Sequence, residues 1–104
     1  MRGEAATERW AAWSPERVQQ ALAEGRPVFV DFTAAWCVTC QFNKRTTLDR
    51  ADVLAAFEAR RVVLLRADWT RRDAAISAEL ARLQRSGVPV YSLHAPGAAG
   101  PTLL

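Results

Sequence analysis

Runs of apolar residues along the chain predict three buried strands. Two runs, Pro27–Thr33 and Val62–Leu65, are nearly continuous and rich in β-branched or aromatic residues. Such runs are typical of central strands that are covered on both faces of a sheet. A third run, Val88–Leu93, has a proline near its start, where a backbone donor can be spared. A turn over residues 95–100 follows, and Pro101–Leu104 is predicted to begin a fourth strand.

Helical patterns separate these runs. Apolar residues there recur at spacings of three and four, and capping residues mark helix ends. The predicted helices run from Ser14 to Gly25, from about Cys37 to about Arg45, from the capping pair Asp49 and Asp52 onward, and from Thr70 to Gly87.

The order of these elements predicts an α/β fold. Strands and helices alternate and are followed by two strands with a turn between them, which predicts parallel crossovers and then an antiparallel hairpin at one edge. We expect a mixed central sheet flanked by helices on both faces. Trp10 and Trp13 precede the first helix, in an edge strand or an apolar plug. Residues 10–104 are predicted to form the domain, and residues 1–9 a linker or terminal tail.

Composition adds limits on function. The chain has 104 residues, 50% hydrophobic and 24% charged, which is typical of one globular domain. Thirteen of its fourteen basic residues are Arg, but they are scattered, without interleaved aromatic residues, and the net charge is only +3. We therefore expect no nucleic-acid partner. No apolar run approaches the roughly 18 to 20 residues of a membrane-spanning helix, so no membrane insertion is expected.

Cys37 and Cys40 lie where the first buried strand turns into a helix. At this spacing two sulfurs on one helical turn can form a disulfide. Cys37 is predicted to be the nucleophile, because free N–H groups at a helix start stabilise a thiolate. Cys40, one turn deeper, is the predicted resolving cysteine. The alternatives are half of a metal site, for which His94 is the only histidine, and two inert buried cysteines.

Asp31 interrupts the first buried strand with a carboxylate. Burial of a carboxylate is unfavourable and raises its pKa, so its presence in a strand of this kind needs an explanation. We predict that Asp31 is the proton relay for Cys40. The alternative is a structural carboxylate satisfied by a local hydrogen bond or a lysine. Pro89, on the residues alone, is a strand-edge proline.

The segment from Asp31 to Cys40, together with Gly87-Val88-Pro89, resembles the thioredoxin superfamily. More narrowly, it resembles the C-terminal periplasmic domain of the DsbD family of thiol:disulfide interchange proteins. The resemblance implies that Pro89 is a cis-proline facing the disulfide and that Trp36, Val88 and Pro89 bind substrate. It also implies a thioredoxin-like fold. Family domains continue through a C-terminal helix, for which no segment follows Leu104, so we expect that helix to be missing.

The resemblance further implies an enzyme, a protein-disulfide reductase. In that family a membrane domain passes electrons to this domain, which then reduces periplasmic proteins, the N-terminal domain of the same full-length protein among them. The implied location is the periplasm, although residues 1–9 carry no apolar signal region. The redox-active Cys37–Cys40 disulfide is the implied redox group, with no other cofactor and no metal.

Two positions depart from the sequences of relatives. Lys44 stands where they often carry glutamate, which could change the tuning of the Cys37 pKa, although we expect its ammonium group to be solvated. Val38-Thr39 replaces the Gly-Pro of thioredoxins, which counts against a free-standing cytosolic thioredoxin. With no His or Lys between the cysteines, a reducing couple is predicted. A further alternative is a binding module in which the disulfide is only structural.

Overall fold

Five strands form one mixed sheet with helices on both faces. The computed structural model describes residues 9–104, so the predicted linker at residues 1–9 lies outside the described residues except for Arg9. The strands are β1 (Trp10–Ala12), β2 (Val28–Thr33), β3 (Val63–Asp68), β4 (Val90–His94) and β5 (Thr102–Leu103). The helices are α1 (Pro15–Ala23), α2 (Val38–Asn43), α3 (Ala51–Ala59) and α4 (Ala74–Arg82), and a π-helical turn, Lys44–Leu48, continues α2.

The sheet has the strand order β1-β3-β2-β4-β5. β1 and β2 run parallel to β3, whereas β4 runs antiparallel to both β2 and β5. The predicted mixed sheet, and an edge strand at Trp10, are therefore confirmed. The antiparallel direction of β4 relative to β2 did not follow from the alternation of strands and helices.

β2 is buried at all six of its positions because both faces of the sheet are covered. Val28, Val30 and Phe32 pack in a cluster with residues of α1 and α4. Phe29 points to the opposite face, where it packs with Leu48 and Leu54, from the π-helical turn and from α3. Because side chains alternate along a strand, Asp31 lies on the same face as Phe29.

The predicted start and end of the last helix are wrong. α4 begins after Asp73, whose carboxylate accepts the backbone N–H three residues on at 3.2 Å. Thr70 instead forms hydrogen bonds with Asp68 in the loop before the helix. The helix ends at Arg82, before the predicted end at Gly87, and Gln84 adopts the left-handed conformation with φ 62°. A glycine is therefore not needed at this helix end.

Candidate active site

A disulfide joins Cys37 and Cys40 at the beginning of α2. The two Cα atoms are 5.2 Å apart. Cys37 is the N-cap of α2, and its Sγ accepts the backbone N–H of Cys40 at 3.1 Å. That N–H belongs to the first helical turn, where donors lack partners within the helix and can stabilise negative charge on Cys37. Within residues 9–104 no group of three or more His, Cys, Asp or Glu side chains could hold a metal ion.

The two sulfur-bearing residues differ in their exposure. Cys37 is 7% exposed and Cys40 is 1% exposed, in a small buried cluster with Ala34. Both residues are buried, and Cys37 is the more accessible of the two. This asymmetry is the one that attack by Cys37 and resolution by Cys40 require. The two roles themselves stay predictions.

The loop before β4 lies beside the disulfide. The Val88–Pro89 peptide bond is cis, and Val88 packs against the buried cluster around the two cysteines. Two residues after the proline, the Tyr91 hydroxyl accepts a hydrogen bond from Asn43 of α2 at 2.9 Å. This bond ties β4 to the end of the cysteine-bearing helix. That Val88 and Pro89 bind a partner's backbone stays a prediction.

Trp36 is held in place by the loop that follows β3. Its indole Nε1 donates to the backbone oxygen of Thr70 at 3.0 Å, and the Thr70 hydroxyl accepts the N–H of Ala35 at 2.8 Å. The Arg72 guanidinium lies 5.1 Å from the Trp36 ring and 4.9 Å from the Trp69 ring. Trp36 nevertheless remains 49% exposed. It therefore presents a fixed apolar surface next to the disulfide.

Substituting Thr70 with Val is expected to loosen this loop. The change keeps the shape of the side chain but removes the acceptor for Ala35 and the hydroxyl that binds Asp68. We expect the free energy of unfolding to fall by about 1 kcal/mol. The pKa of Asp68, which the Thr70 hydroxyl lowers, should rise toward its ordinary value. Urea denaturation measures the free energy of unfolding. Thr46→Val is the control, because it removes an exposed hydroxyl that donates to the backbone oxygen of Phe42. Equal losses in the two variants contradict the prediction.

Asp31 is almost wholly buried on the face of β2 that the π-helical turn and α3 cover. Its Oδ2 accepts a hydrogen bond from Nε of Arg66 at 3.1 Å, and the two residues are register partners on β2 and β3. Burial raises the pKa of the Asp31 carboxyl, against the lowering effects of Arg66 and Lys44. The alternative to the relay was a structural carboxylate satisfied by a lysine or by a local hydrogen bond. The hydrogen-bond partner of Asp31 is instead an arginine of the neighbouring strand. The proton-relay role stays a prediction.

Lys44 is less solvated than the sequence led us to expect. Lys44 begins the π-helical turn after α2 and is half-buried. Burial and the nearby Arg66 lower its pKa, while Asp31, Asp68 and Asp49 act to raise it. Its charge thus belongs to the group of charges around Asp31. An effect of Lys44 on the Cys37 thiolate remains untested.

Sequence reasoning missed one arginine and one pair of apolar residues at this site. Arg66 interrupts an apolar strand just as Asp31 does, and this pair of opposite anomalies was a usable signal. Phe42 is 55% exposed and lies one helical turn after Val38, which is 83% exposed. Residues four apart share a helix face, so the two side chains form an exposed apolar pair beside the disulfide. The spacing of apolar residues around the cysteines could have indicated it.

Comparisons with known proteins give consistent similarities. A family model described as thioredoxin-like matches residues 9–96. The chain is 46% identical over 74 residues to the thiol:disulfide interchange protein DsbD of Ralstonia nicotianae, a match covering 71% of this chain and 12% of that protein. It is 36% identical over 88 residues to DsbD 1 of Pseudomonas aeruginosa, covering 81% and 15%. The chain therefore spans only a small part of these curated relatives.

Solved structures share the fold. A thioredoxin from Thermus thermophilus superposes with a TM-score of 0.71 at 26% identity, covering 92% of this chain and 71% of that one. The oxidised C-terminal domain of DsbD from Neisseria meningitidis superposes with a TM-score of 0.65 at 22% identity, covering 89% and 85%. The strand order and the helices on both faces are thus those of a thioredoxin-like fold.

Proposed function

The chain belongs to the thioredoxin-like family, and we propose that it is a thiol:disulfide oxidoreductase domain acting as a reductant of protein disulfides. The observation that carries the proposal is the Cys37–Cys40 disulfide at the start of α2, with one cysteine more accessible than the other. The similarity to thiol:disulfide interchange proteins over most of the chain supports the same chemistry.

Reduction of a partner takes two exchanges. The Cys37 thiolate attacks one sulfur of the partner's disulfide; a mixed disulfide forms and the partner's other sulfur leaves as a thiolate. Cys40 then loses its proton and attacks the Cys37 sulfur, so the Cys37–Cys40 bond forms and the partner's second sulfur leaves. The partner gains two electrons and the domain is oxidised by two.

Asp31 is the proposed acceptor of the Cys40 proton. An ordinary aspartate is a weak base, because its pKa lies far below that of a thiol. Burial raises the pKa of Asp31 and so brings its proton affinity closer to that of the thiol. Among the described residues, Oδ1 of Asp31 has no hydrogen-bond partner, while Oδ2 is bound by Arg66. One carboxylate oxygen is thus open to a proton.

Exposed apolar residues around the disulfide provide the proposed docking surface for partners. Trp36, Val38 and Phe42 are all substantially exposed. Singly exposed apolar residues are common, but three around a reactive group mark an interaction site. Val88 packs against the buried cluster around the two cysteines, and we assign the backbone of this residue and of Pro89 to pairing with an extended partner segment, as the family resemblance implies.

The proposed partners follow from the interchange-protein relatives. Electrons would come from a membrane domain of the same full-length protein and pass to its N-terminal domain and other periplasmic proteins. None of the described helices is long and apolar enough to cross a membrane. From the similarity to the interchange proteins, the proposed location is the periplasm, in a soluble domain of an inner-membrane protein.

The redox potential is expected to be reducing. No His or Lys lies between the cysteines to stabilise the Cys37 thiolate strongly, so the disulfide form is favoured. Thioredoxin has a potential of about −270 mV, and the oxidant DsbA has one of about −120 mV. We expect the potential of this domain to lie nearer to that of thioredoxin. Equilibration with glutathione buffers, followed by acid quenching and mass spectrometry of alkylated protein, measures it.

The matched control for this measurement is Thr39→His. A histidine between the cysteines can stabilise the Cys37 thiolate, so this variant should be more oxidising than the unchanged protein. A potential close to that of DsbA in the unchanged protein contradicts the proposal that the domain is a reductant.

A further inference from the structure

Trp10 covers the arginine that is paired with Asp31. The guanidinium carbon of Arg66 lies 4.2 Å from the centroid of the Trp10 ring. The chemistry described above uses neither the tryptophan nor its strand. Trp10 is thus linked to the buried carboxylate through one side chain, although it belongs to the edge strand β1.

The sheet fixes the position of the Trp10 ring. β1 pairs with β3 so that Trp10 is the register partner of Leu64, two residues before Arg66. The ring also packs edge-on against Phe29, with centroids 6.1 Å apart. Trp10 is half-buried, and its place over the guanidinium is determined by strand pairing and by packing within the sheet's second core cluster.

Arg66 has few other anchors. Its Nε donates to Oδ2 of Asp31, but its buried Nη2 has no hydrogen-bond partner among the described residues. The pair is therefore joined by one hydrogen bond and lacks the two parallel bonds of a bidentate arginine–carboxylate pair. A single bond restrains the guanidinium less than a bidentate pair would. The Trp10 ring covers the face of the guanidinium and adds a second restraint.

Other charged and titratable groups also face Asp31. Lys44 and Asp49 act on it from the π-helical turn and the residue after it, and Tyr91 is its register partner on β4. A substitution at Trp10 leaves these three side chains unchanged. An effect on Asp31 that passes through Arg66 must disappear when Trp10→Leu is made in the Arg66→Met protein, which separates it from a change in the burial of Asp31, the largest cause of its raised pKa.

We propose that Trp10 is a positioning residue for proton transfer, which holds Arg66 against Asp31 and thereby sets the proton affinity of that carboxylate. The link to catalysis rests on the proposed relay between Asp31 and Cys40. Because the cation opposes protonation of Asp31, release of the guanidinium increases the proton affinity of the carboxylate. The coupling between Trp10 and Asp31 does not depend on thiol chemistry and can be measured without it.

The test is a carboxyl titration of the oxidised protein, in which no thiol interferes. The ¹³Cγ chemical shift of Asp31 is followed against pH in the unchanged protein, Trp10→Leu, Trp10→Phe and Arg66→Met. We expect Trp10→Leu to increase the proton affinity of Asp31 by about two- to fivefold, the size of one lost cation–π contact. Arg66→Met should increase the proton affinity of Asp31 by more than Trp10→Leu does. Trp10→Phe keeps an aromatic ring and should increase it by less.

Trp13→Leu is the matched control. Trp13 belongs to the same N-terminal segment, but it packs against Phe32 on the opposite face of the sheet, with ring centroids 6.2 Å apart. The control should leave the Asp31 titration unchanged. An unmoved or lowered proton affinity in Trp10→Leu, or an equal rise in Trp13→Leu, overturns the proposal. If Trp10→Leu does not fold, Trp10→Phe decides by the same criteria.

The rate of mixed-disulfide resolution separates this proposal from the proposed function. If the Asp31 titration moves but the pH dependence of resolution does not, Trp10 positions the carboxylate and the relay between Asp31 and Cys40 is wrong. If the Asp31 titration and the pH dependence of resolution change together, both the positioning role of Trp10 and the relay between Asp31 and Cys40 are supported.

Discussion

Replacing Cys40 with Ser is expected to trap partners as covalent mixed disulfides through Cys37, while replacing Cys37 with Ser abolishes exchange without trapping. The reason is the order of the two exchanges: Cys37 attacks first, and the shielded Cys40 is needed to release the partner. Without Cys40 the mixed disulfide has no internal attacking group. Turnover should fall by at least about 10³-fold in both variants, as expected for loss of a nucleophile.

The measurement uses a disulfide-bonded peptide and non-reducing mass spectrometry. Each variant is mixed with the peptide and quenched in acid, and the mass of the intact protein shows whether the peptide is bound. Turnover is measured separately, with an external dithiol as the electron source. Thr39→Ser is the control, because it changes an exposed residue between the cysteines and keeps both sulfurs. Failure of Cys40→Ser to trap peptide, with Cys37 resistant to alkylation after mild reduction, favours the binding module with a structural disulfide.

Replacing Asp31 with Asn is expected to slow resolution of the mixed disulfide by about 10²-fold at neutral pH. The amide has nearly the same shape and can still accept a hydrogen bond from Arg66, but it cannot take a proton from Cys40. Loss of a general base typically reduces a rate by 10²- to 10⁴-fold. Stopped-flow measurement of thiol release from a preformed mixed disulfide isolates this step. An unchanged rate contradicts the relay.

The same variant should be more stable than the unchanged protein at neutral pH. Burial raises the pKa of Asp31 above its ordinary value, so the folded protein holds that proton more tightly than the unfolded chain. The unchanged protein therefore loses stability as the pH rises through the unfolded pKa toward the folded one. The free energy of unfolding of Asp31→Asn should equal that of the unchanged protein below about pH 3.8. The difference should grow as the pH rises from the unfolded to the folded pKa of Asp31, and stay constant above the folded pKa.

Urea denaturation between pH 3 and pH 8 measures this difference. Asp52→Asn is the control with the opposite sign, because Arg50 lowers the pKa of the exposed Asp52. The ionised Asp52 carboxylate stabilises the folded protein slightly at pH values above its unfolded pKa, and Asp52→Asn should lose this stabilisation. Lower stability of Asp31→Asn at pH 8 indicates that the ion pair with Arg66 outweighs the unfavourable burial.

The sequence contained enough information to predict the fold and the two cysteines. The run Pro27–Thr33 includes all of β2, because a strand covered on both faces must be apolar almost throughout. Ser14 accepts the N–H of Arg17 at 3.1 Å as the predicted N-cap of α1. The Cys37–Cys40 disulfide followed from spacing, since both ends lie on one helical turn. These features depend on local sequence.

Features that depend on distant parts of the chain were not predictable in the same way. The pairing of Arg66 with Asp31 is set by the register of strands that are 35 residues apart. The burial of Lys44 depends on how the π-helical turn packs against the sheet. The cis form of Val88–Pro89 could not be inferred from the residues alone, because only about 5% of such bonds in folded proteins are cis.

The hydrogen bond between Asn43 and Tyr91 has a consequence for partner choice. It joins the helix that carries the disulfide to the strand that follows the cis-proline, so both sides of the proposed docking surface are held in one arrangement before a partner arrives. Binding then orders little of this domain, and the entropy lost on association comes mainly from the partner. Suitable partners are therefore those whose disulfide lies in a segment already extended and accessible.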